Sequence, residues 1–220
     1  MCVSFGIGWF FSSPIYNTAA DIPTLFFKEN REISAVVMKV VDGDTYRVRH
    51  VTPYHTSTDY TGLLSENTIM VRIAAVDTPE IGKFGKEGQL YSQEAKDFAS
   101  TNLLGKKVVI KLLARDRYGR ALGLVSYKDN KMLPGFLSSR KDISEQLLEK
   151  GLAVVYRQGG AQYDGPVSRW NDIEARAQKK KRGMWVKGGE VELPSEYKKK
   201  TAPKKETAKA KAQAKDLTRI

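Results

Sequence analysis

Residues 72–80 read Arg-Ile-Ala-Ala-Val-Asp-Thr-Pro-Glu, and the rest of the chain is organised around this stretch. Its apolar part continues from the preceding residues, so Ile69 to Val76 is predicted to form one strand. Asp77 and Glu80 follow where the strand gives way to a turn, and Pro79 restricts the backbone on both sides. Oxygen ligands held that rigidly suit a hard divalent cation such as calcium or magnesium. The alternative is a plain strand followed by a polar turn. Other motifs in the chain must decide between this interpretation and a metal site.

Other segments of the chain also have the alternating or β-branched pattern of strands. They are Ile33–Val41, Thr45–Val51, Lys107–Leu113 and Ala121–Tyr127. Asp42-Gly43-Asp44 joins the first two as the turn of a hairpin. Three helices are predicted from apolar residues at helical spacing, and they end near Gly105, Gly151 and Gly183. Five short strands with a helix after the third predict a five-stranded Greek-key OB-fold barrel, mainly β, with three α-helices.

Charge is distributed unevenly along the 220 residues. The formal net charge is +12, and residues 198–220 alone carry nine Lys or Arg against two acidic residues. The rest of the chain is therefore only mildly basic. The Lys- and Ala-rich end has no apolar periodicity, so it is predicted to be disordered and to take no part in catalysis. We divide the chain into an apolar extension (1–32), a folded domain (33–189) and a basic disordered tail (190–220).

The amino terminus is apolar and aromatic from Val3 to Tyr16. The run is shorter than the ~20 residues that span a bilayer, Pro14 interrupts it, and no basic residues precede it. It is a clipped targeting or anchor segment, an extra piece packed on the domain, or a disordered tail. The first interpretation favours a membrane-associated or organellar (mitochondrial) location, with secretion as the alternative. Cys2 is the only cysteine, which excludes an internal disulfide and a cysteine-based metal site.

Two further motifs supply groups that would act together with the 72–80 stretch in one reaction. In the turn at 42–45, Asp44 is expected to face Asp77, so that two carboxylates form part of a calcium shell. In Asp116-Arg117-Tyr118-Gly119-Arg120, Arg120 is expected to face Arg72 across a phosphate, because guanidinium groups bind phosphoryl oxygens bidentately. Glu80 remains to orient or deprotonate a water. Together these parts predict metal-assisted hydrolysis of a phosphodiester.

The three motifs resemble those of the staphylococcal nuclease (thermonuclease) family. The matching residues are DGDT at 42–45, R-x4-DTPE at 72–80 and DRYGR at 116–120, in the same order and at similar spacing. Lys150-Gly151-Leu152-Ala153 is similar to a fourth family element. The resemblance covers residues 33–186. The aromatic amino terminus also resembles eukaryotic members attached to membranes, including a fungal mitochondrial-membrane branch.

This resemblance implies a calcium-dependent enzyme that cleaves single- or double-stranded DNA and RNA and leaves 3′-phosphate ends. It implies the following roles: metal ligands Asp44, Asp77 and the Thr78 carbonyl; general base Glu80; phosphate-binding Arg72 and Arg120; substrate-binding Tyr118 and Tyr156. The spacing from Gly151 to Tyr156 is one residue shorter than the family pattern. No obligate protein partner is evident, and a monomer is expected.

A non-catalytic nucleic-acid-binding OB module or scaffold is the alternative function. Such a module needs a basic groove, whereas clustered carboxylates repel phosphates unless a cation lies between them. Because the acidic and arginine residues are all present, the sequence favours the enzyme over the binding module.

Overall fold

A computed structural model describes residues 14–82, 87–128, 139–188 and 191–201. Its elements follow the chain in a mixed order of short helices and strands. They are α1 (Thr24–Lys28), β1 (Glu32–Asp42), β2 (Thr45–Val51), β3 (Ile69–Ile73), β4 (Val76–Asp77), α2 (Ser92–Leu103), β5 (Lys107–Arg115), β6 (Ala121–Lys128), β7 (Arg140–Asp142), α3 (Ile143–Lys150), β8 (Val154–Val155), α4 (Val167–Lys179), a 3-10 helix (Gly183–Lys187) and α5 (Pro194–Thr201).

Five of these strands close into a barrel. They run in the order β3-β2-β1-β5-β6, and a parallel pairing of β3 with β6 joins the two ends. The other pairings within the barrel are antiparallel. Alternate residues point inward, so that Val37, Tyr46 and Ile110 are fully buried in the centre. The predicted OB-type barrel is confirmed as a closed, mixed five-stranded barrel with helices around it.

The predicted helices α2, α3 and α4 are present, and local signals explain their ends. The Asp142 side chain accepts hydrogen bonds from the Ser144 and Glu145 backbone N–H groups, which caps α3. Gly151 ends α3 in the left-handed conformation, with φ +68°. Within the described ranges, α1 and α5 are additional to the three predicted helices.

The predicted single strand from Ile69 to Val76 is wrong, because the chain bends after Ile73. Ala75 has φ +68°, a left-handed conformation that is strained for a residue with a side chain. Two hydrogen bonds hold the bend: the Ala74 N–H donates to the Gly123 carbonyl at 2.9 Å, and the Tyr156 N–H donates to the Ala75 carbonyl at 2.8 Å. The bend moves Asp77 out of the barrel sheet and into β4, which pairs with β8.

The amino-terminal extension packs on the barrel where the structure describes it. Tyr16, Ile22 and Phe27 are buried. The Tyr16 ring stacks on His50 with 4.9 Å between ring centroids, and the Tyr16 N–H donates to His50 Nδ1 at 3.1 Å. Part of the extension from residue 14 onward thus packs on the domain, and the three interpretations of the run from Val3 to Tyr16 stay predictions. Most of the apolar run lies outside the described residues, and no described helix is long and apolar enough to cross a membrane.

The carboxyl-terminal region differs from the predicted disordered tail. Pro194–Thr201 forms α5, and residues 202–220 lie outside the described residues. Pro194 is buried, and the side chain of Lys198 is 38% exposed. This helix has few apolar residues, so its contacts with the domain, rather than an apolar period, account for its position.

Candidate active site

The two predicted metal aspartates are brought together by a tight contact between the β1–β2 turn and the residues that follow β4. A Cβ at Gly43 would lie 2.8 Å from Thr78 Oγ1 and 2.9 Å from the Ala95 Cβ. Only glycine allows that approach. The carbonyl of Asp44 accepts a hydrogen bond from the Ile73 N–H at 2.9 Å, which fixes Asp44 against β3. Asp44, Asp77 and Thr78 are all buried.

Arg72 joins the two aspartates. Its Nη1 lies 2.8 Å from Asp44 Oδ2, and its Nη2 donates to Asp77 Oδ1 at 2.6 Å. Burial disfavours the charged form of this guanidinium, but the two carboxylates outweigh burial and raise the pKa of Arg72. Burial also raises the pKa of Asp44, and the charge of Arg72 opposes this only in part. The cluster is therefore a buried ion network in which each charge depends on the others.

The chemistry of this cluster fits a hard cation. Asp44 Oδ1 accepts a hydrogen bond from Thr45 Oγ1 at 2.8 Å, but the buried Oδ2 accepts none from the described residues despite its ion pair with Arg72. The positive charge beside Asp44 Oδ2 is the Arg72 guanidinium at 2.8 Å, so this oxygen is a position that binds a cation but not an empty one. No three Asp, Glu, His or Cys side chains gather at a possible metal position in the described ranges. Asp44 and Asp77 alone are fewer than the ligands that calcium takes, so backbone carbonyls, water or substrate would have to supply the others.

Glu80 is fixed through its backbone by Gln89. The Glu80 N–H donates to Gln89 Oε1 at 2.9 Å, and the Gln89 N–H donates to the Glu80 carbonyl at 2.9 Å. Gln89 is buried, whereas the Glu80 side chain is 23% exposed. The backbone of Glu80 is thus held in place while its carboxylate reaches the solvent-accessible side of the site.

Lys198 on α5 contacts the same carboxylates. Its Nζ lies 2.7 Å from Asp77 Oδ1 and 2.9 Å from Glu80 Oε1. Burial disfavours the charged ammonium, but Asp77 and Glu80 outweigh this effect and raise the pKa of Lys198. A positive charge therefore already lies between the predicted metal ligand and the predicted base.

The β5–β6 turn forms the opposite side of the site. Asp116 Oδ1 accepts hydrogen bonds from the backbone N–H groups of Tyr118 (2.8 Å) and Arg120 (2.9 Å), and Oδ2 accepts one from Arg120 Nε at 2.6 Å. The hydrogen bond to the Arg120 side chain is through Nε, and the guanidinium lies 5.4 Å from the centroid of the Tyr118 ring. Tyr118 is 69% exposed. Asp116 thus orients Arg120, and Tyr118 offers an exposed aromatic ring that the guanidinium groups of Arg117 and Arg120 also contact.

A cleft of about 760 Å³ connects the two sides. Its lining includes five of the predicted site residues: Arg72, Glu80, Tyr118, Arg120 and Tyr156. Lys198 also lines it, whereas the aspartate pair lies behind Arg72. Such a concave site with charged groups converging on it is a usual place for a ligand.

Tyr156 lies in the cleft despite its shortened spacing from Gly151. It directly follows β8, and the guanidinium of Arg72 lies 5.6 Å from the centroid of its ring. The hydroxyl of Tyr163 donates to the Tyr156 carbonyl. Pairing of β8 with β4 therefore determines where Tyr156 lies, and the number of residues after Gly151 matters less.

The structure brings together all eight predicted site residues and adds Gln89, Asp116 and Lys198, which sequence reasoning missed as site residues. Asp116 could have been found, because an aspartate at the first position of a turn commonly accepts backbone hydrogen bonds. Gln89 and Lys198 carried no local signal. Arg72 differs from its predicted position, since its terminal nitrogens contact the aspartates as well as lining the cleft.

Comparison with known proteins identifies the family. The family model described as staphylococcal nuclease homologue matches residues 70–187, and the chain belongs to that family. The chain is 40% identical over 185 residues to endonuclease Htp3 of Saprolegnia parasitica, covering 83% of each protein. It is 34% identical over 199 residues to a probable endonuclease LCL3 of Komagataella phaffii, covering 83% of this chain and 81% of that protein. A probable endonuclease LCL3 of Schizophyllum commune is 38% identical over 182 residues, 78% of this chain and 62% of that protein.

Proposed function

We propose that this protein is a calcium-dependent nuclease that hydrolyses phosphodiester bonds of DNA or RNA. The observation that carries the proposal is the convergence of Arg72, Glu80 and Arg120 on one cleft, in front of a buried aspartate pair. Family membership and relatives named as endonucleases support the same activity. The fold alone would not, because OB barrels serve many functions.

Asp44, Asp77 and the backbone carbonyl of Thr78 are the residues that would hold calcium. Both carboxylates already pair with cationic side chains, Asp44 with Arg72 and Asp77 with Arg72 and Lys198, so the pair carries negative charge that a cation can neutralise. When bound, calcium would supply Lewis-acid stabilisation of the negative charge that builds up on the phosphate. Oxygens of water and substrate would complete its shell, because the protein offers fewer than the 6–8 ligands that calcium takes.

Glu80 is the proposed general base. Its carboxylate reaches the cleft while its backbone is anchored by Gln89, so its position relative to β4 is constrained. It would accept a proton from water as the water oxygen bonds to phosphorus. The bond from phosphorus to the 5′ oxygen breaks and that oxygen gains a proton from solvent, which leaves a 5′-hydroxyl and the expected 3′-phosphate end.

The arginines are proposed to stabilise the pentacoordinate phosphorus. Arg120 is held by Asp116 through Nε, and its guanidinium carries further donors that are suited to phosphoryl oxygens. Arg72 would contact the phosphate from the side of the aspartates. Tyr118 and Tyr156 lie beside the two arginines and would pack against the nucleotide. Stacking on bases tolerates any sequence, which suits low specificity.

Cleavage of single-stranded DNA with calcium, and then with chelator, tests the proposal. The wild type is compared with Glu80→Gln and Arg120→Ala, and with Glu66→Gln and Arg176→Ala as matched controls at exposed positions. We expect calcium-dependent cleavage that falls by about 100-fold or more in the first two variants, a typical loss for a base or a charge stabiliser. The controls should keep wild-type rates.

A non-catalytic binding module gives a different result. In that case all five proteins would bind single-stranded DNA, and none would cleave it with or without calcium. Equal cleavage in all of them would instead contradict the assignment of Glu80 and Arg120. Analysis of the product ends by phosphatase sensitivity tests the expected 3′-phosphate separately.

A further inference from the structure

The carboxyl-terminal strap, defined here as residues 191–201, covers the proposed metal site. Lys198 projects from α5 of this strap, with Nζ 2.7 Å from Asp77 Oδ1 and 2.9 Å from Glu80 Oε1. Asp77 is 2% exposed, so the ammonium reaches a carboxylate that solvent barely contacts. A lysine of a basic tail would ordinarily keep its charged group in water. Docking removes part of that water from the Lys198 ammonium, and the two ion pairs offset the lost hydration.

Further contacts hold the strap against the loop that carries Glu80. Gln89 Nε2 donates to the Glu192 carbonyl at 3.1 Å, and the Tyr197 hydroxyl donates to the Glu87 carbonyl. Gln89 is the residue that also binds both backbone groups of Glu80. One glutamine therefore links the proposed base to the strap, and the position of Lys198 does not depend on its ion pairs alone.

Lys198 and a divalent cation need the same carboxylate. Asp77 Oδ1 already accepts hydrogen bonds from both Lys198 Nζ and Arg72 Nη2. A calcium ion on Asp77 would meet the ammonium at short range, and two positive charges that close repel strongly where water is largely excluded. The docked strap and the bound metal are therefore competing states of one site.

We propose that the strap is an autoinhibitory element in which the Lys198 ammonium stands in for the metal ion. This inference rests on the proposed calcium site and adds regulation to it. Calcium binds after Lys198 withdraws, so the apparent calcium affinity is reduced by the free energy of docking the strap. Because coupling between two sites is reciprocal, calcium must loosen the strap by the same factor that the strap weakens calcium binding.

Direct calcium titration by calorimetry tests the competition without measuring catalysis. The full-length wild type is compared with Lys198→Met, which keeps an unbranched side chain only one atom shorter and removes its charge. Lys199→Met is the matched control, since the adjacent Lys199 is exposed on the same helix. We expect Lys198→Met to bind calcium about tenfold more tightly, within the 5–150-fold range usual for coupled sites. Lys199→Met should bind it as the wild type does.

Hydrogen exchange of the wild type gives a second readout that needs no substitution. Calcium should increase amide exchange in residues 194–201 and leave exchange in the barrel strands unchanged or slower. A strap that stays equally protected with saturating calcium would overturn the proposal. So would equal calcium affinity in the wild type and Lys198→Met, and in that case the metal site itself would stand.

Other outcomes separate the remaining explanations. If Lys198 served as a ligand of the substrate phosphate, Lys198→Met would cleave DNA more slowly and bind calcium no more tightly, and autoinhibition would be excluded. If none of the three proteins bound calcium, the metal site on which the proposal rests would fail, and autoinhibition would fail with it. Tighter calcium binding in Lys198→Met, together with calcium-induced exchange in the strap, supports the proposal.

Discussion

The two arginines of the cleft differ in the burial of their partners rather than in their own exposure, which is 15% for the Arg72 side chain and 20% for that of Arg120. Arg72 lies on a barrel strand between two buried aspartates, whereas Arg120 lies at the end of a turn beside a largely exposed tyrosine. In the buried cluster, removing one charge leaves others unpaired and without water, so stability and chemistry are coupled. In the turn, the side chains of Arg120 and Asp116 are 20% and 16% exposed, so water still reaches both groups and can replace a lost partner. A side chain can therefore matter greatly for chemistry there and little for stability.

Replacement of Arg72 should produce the largest effect on stability. Arg72→Met leaves the Asp44 and Asp77 carboxylates without their guanidinium partner, and breaking a buried pair in this way typically costs about 3–5 kcal/mol. We expect a loss of that size in the free energy of unfolding, measured by urea titration with tryptophan fluorescence, together with loss of cleavage. A change below about 1 kcal/mol would contradict the view of Arg72 as part of a buried network.

Overpacking the turn that carries Asp44 should have the next largest effect. In Gly43→Ala, the new methyl group would lie within 3 Å of Thr78 and Ala95, so the turn must move away from both. Overpacking of this kind costs about 1–3 kcal/mol and would displace Asp44 from Asp77. Gly159→Ala is the control, because a Cβ there meets no atom within 4 Å. Equal unfolding free energies for the two variants would show that the turn does not pack tightly.

Arg120→Ala should separate chemistry from stability. Its ion pair with Asp116 is part-buried, and the carboxylate keeps its hydrogen bonds from the Tyr118 and residue 120 backbone N–H groups when the arginine side chain is removed. We expect an unfolding free energy within about 1 kcal/mol of the wild type, although cleavage falls by about 100-fold. Urea titration and cleavage assays on the same preparation measure both quantities. A loss as large as that of Arg72→Met would remove the distinction between the two regions.

The smallest effect is a pH dependence from Asp116. Burial alone would raise the pKa of this carboxyl, but hydrogen bonds and the charge of Arg120 lower it below its usual 3.8. The carboxylate therefore adds stability that is fully present above pH 3.8 and is lost as the pH falls through the lowered pKa. The unfolding free energy of the wild type should exceed that of Asp116→Asn by a constant amount from pH 5 to 7. This difference should disappear in stronger acid.

An exposed aspartate provides the comparison for that titration. Asp172→Asn, at an exposed position of α4, is measured over the same pH range as Asp116→Asn. If Asp116→Asn and Asp172→Asn gave the same profile of unfolding free energy against pH, the hydrogen bonds of the turn would not be stabilising the ionised carboxyl of Asp116. Urea titrations at several pH values supply both profiles.

Several features of this protein were determined by the sequence alone, because their causes are local. The hairpin at residues 42–45 follows from a turn between two alternating strands, and α3 begins and ends where its capping aspartate and Gly151 require. The pattern of the strands was sufficient to predict the barrel. Three short motifs in order were sufficient to predict the family. These signals depend on residues only a few positions apart, which backbone preferences and periodicity can predict.

Only the tertiary structure decided the bend at Ala75, the place of Tyr156 and the contact of Lys198 with Asp77. The bend is stabilised by hydrogen bonds to Gly123 and Tyr156, which are distant in sequence. Asp77 and Lys198 are 121 positions apart, and nothing in a run of lysines distinguishes the one that docks. Such contacts depend on how the folded barrel brings distant segments of the chain together. A local pattern can therefore supply the reactive groups of this site, but not the cation that lies among them.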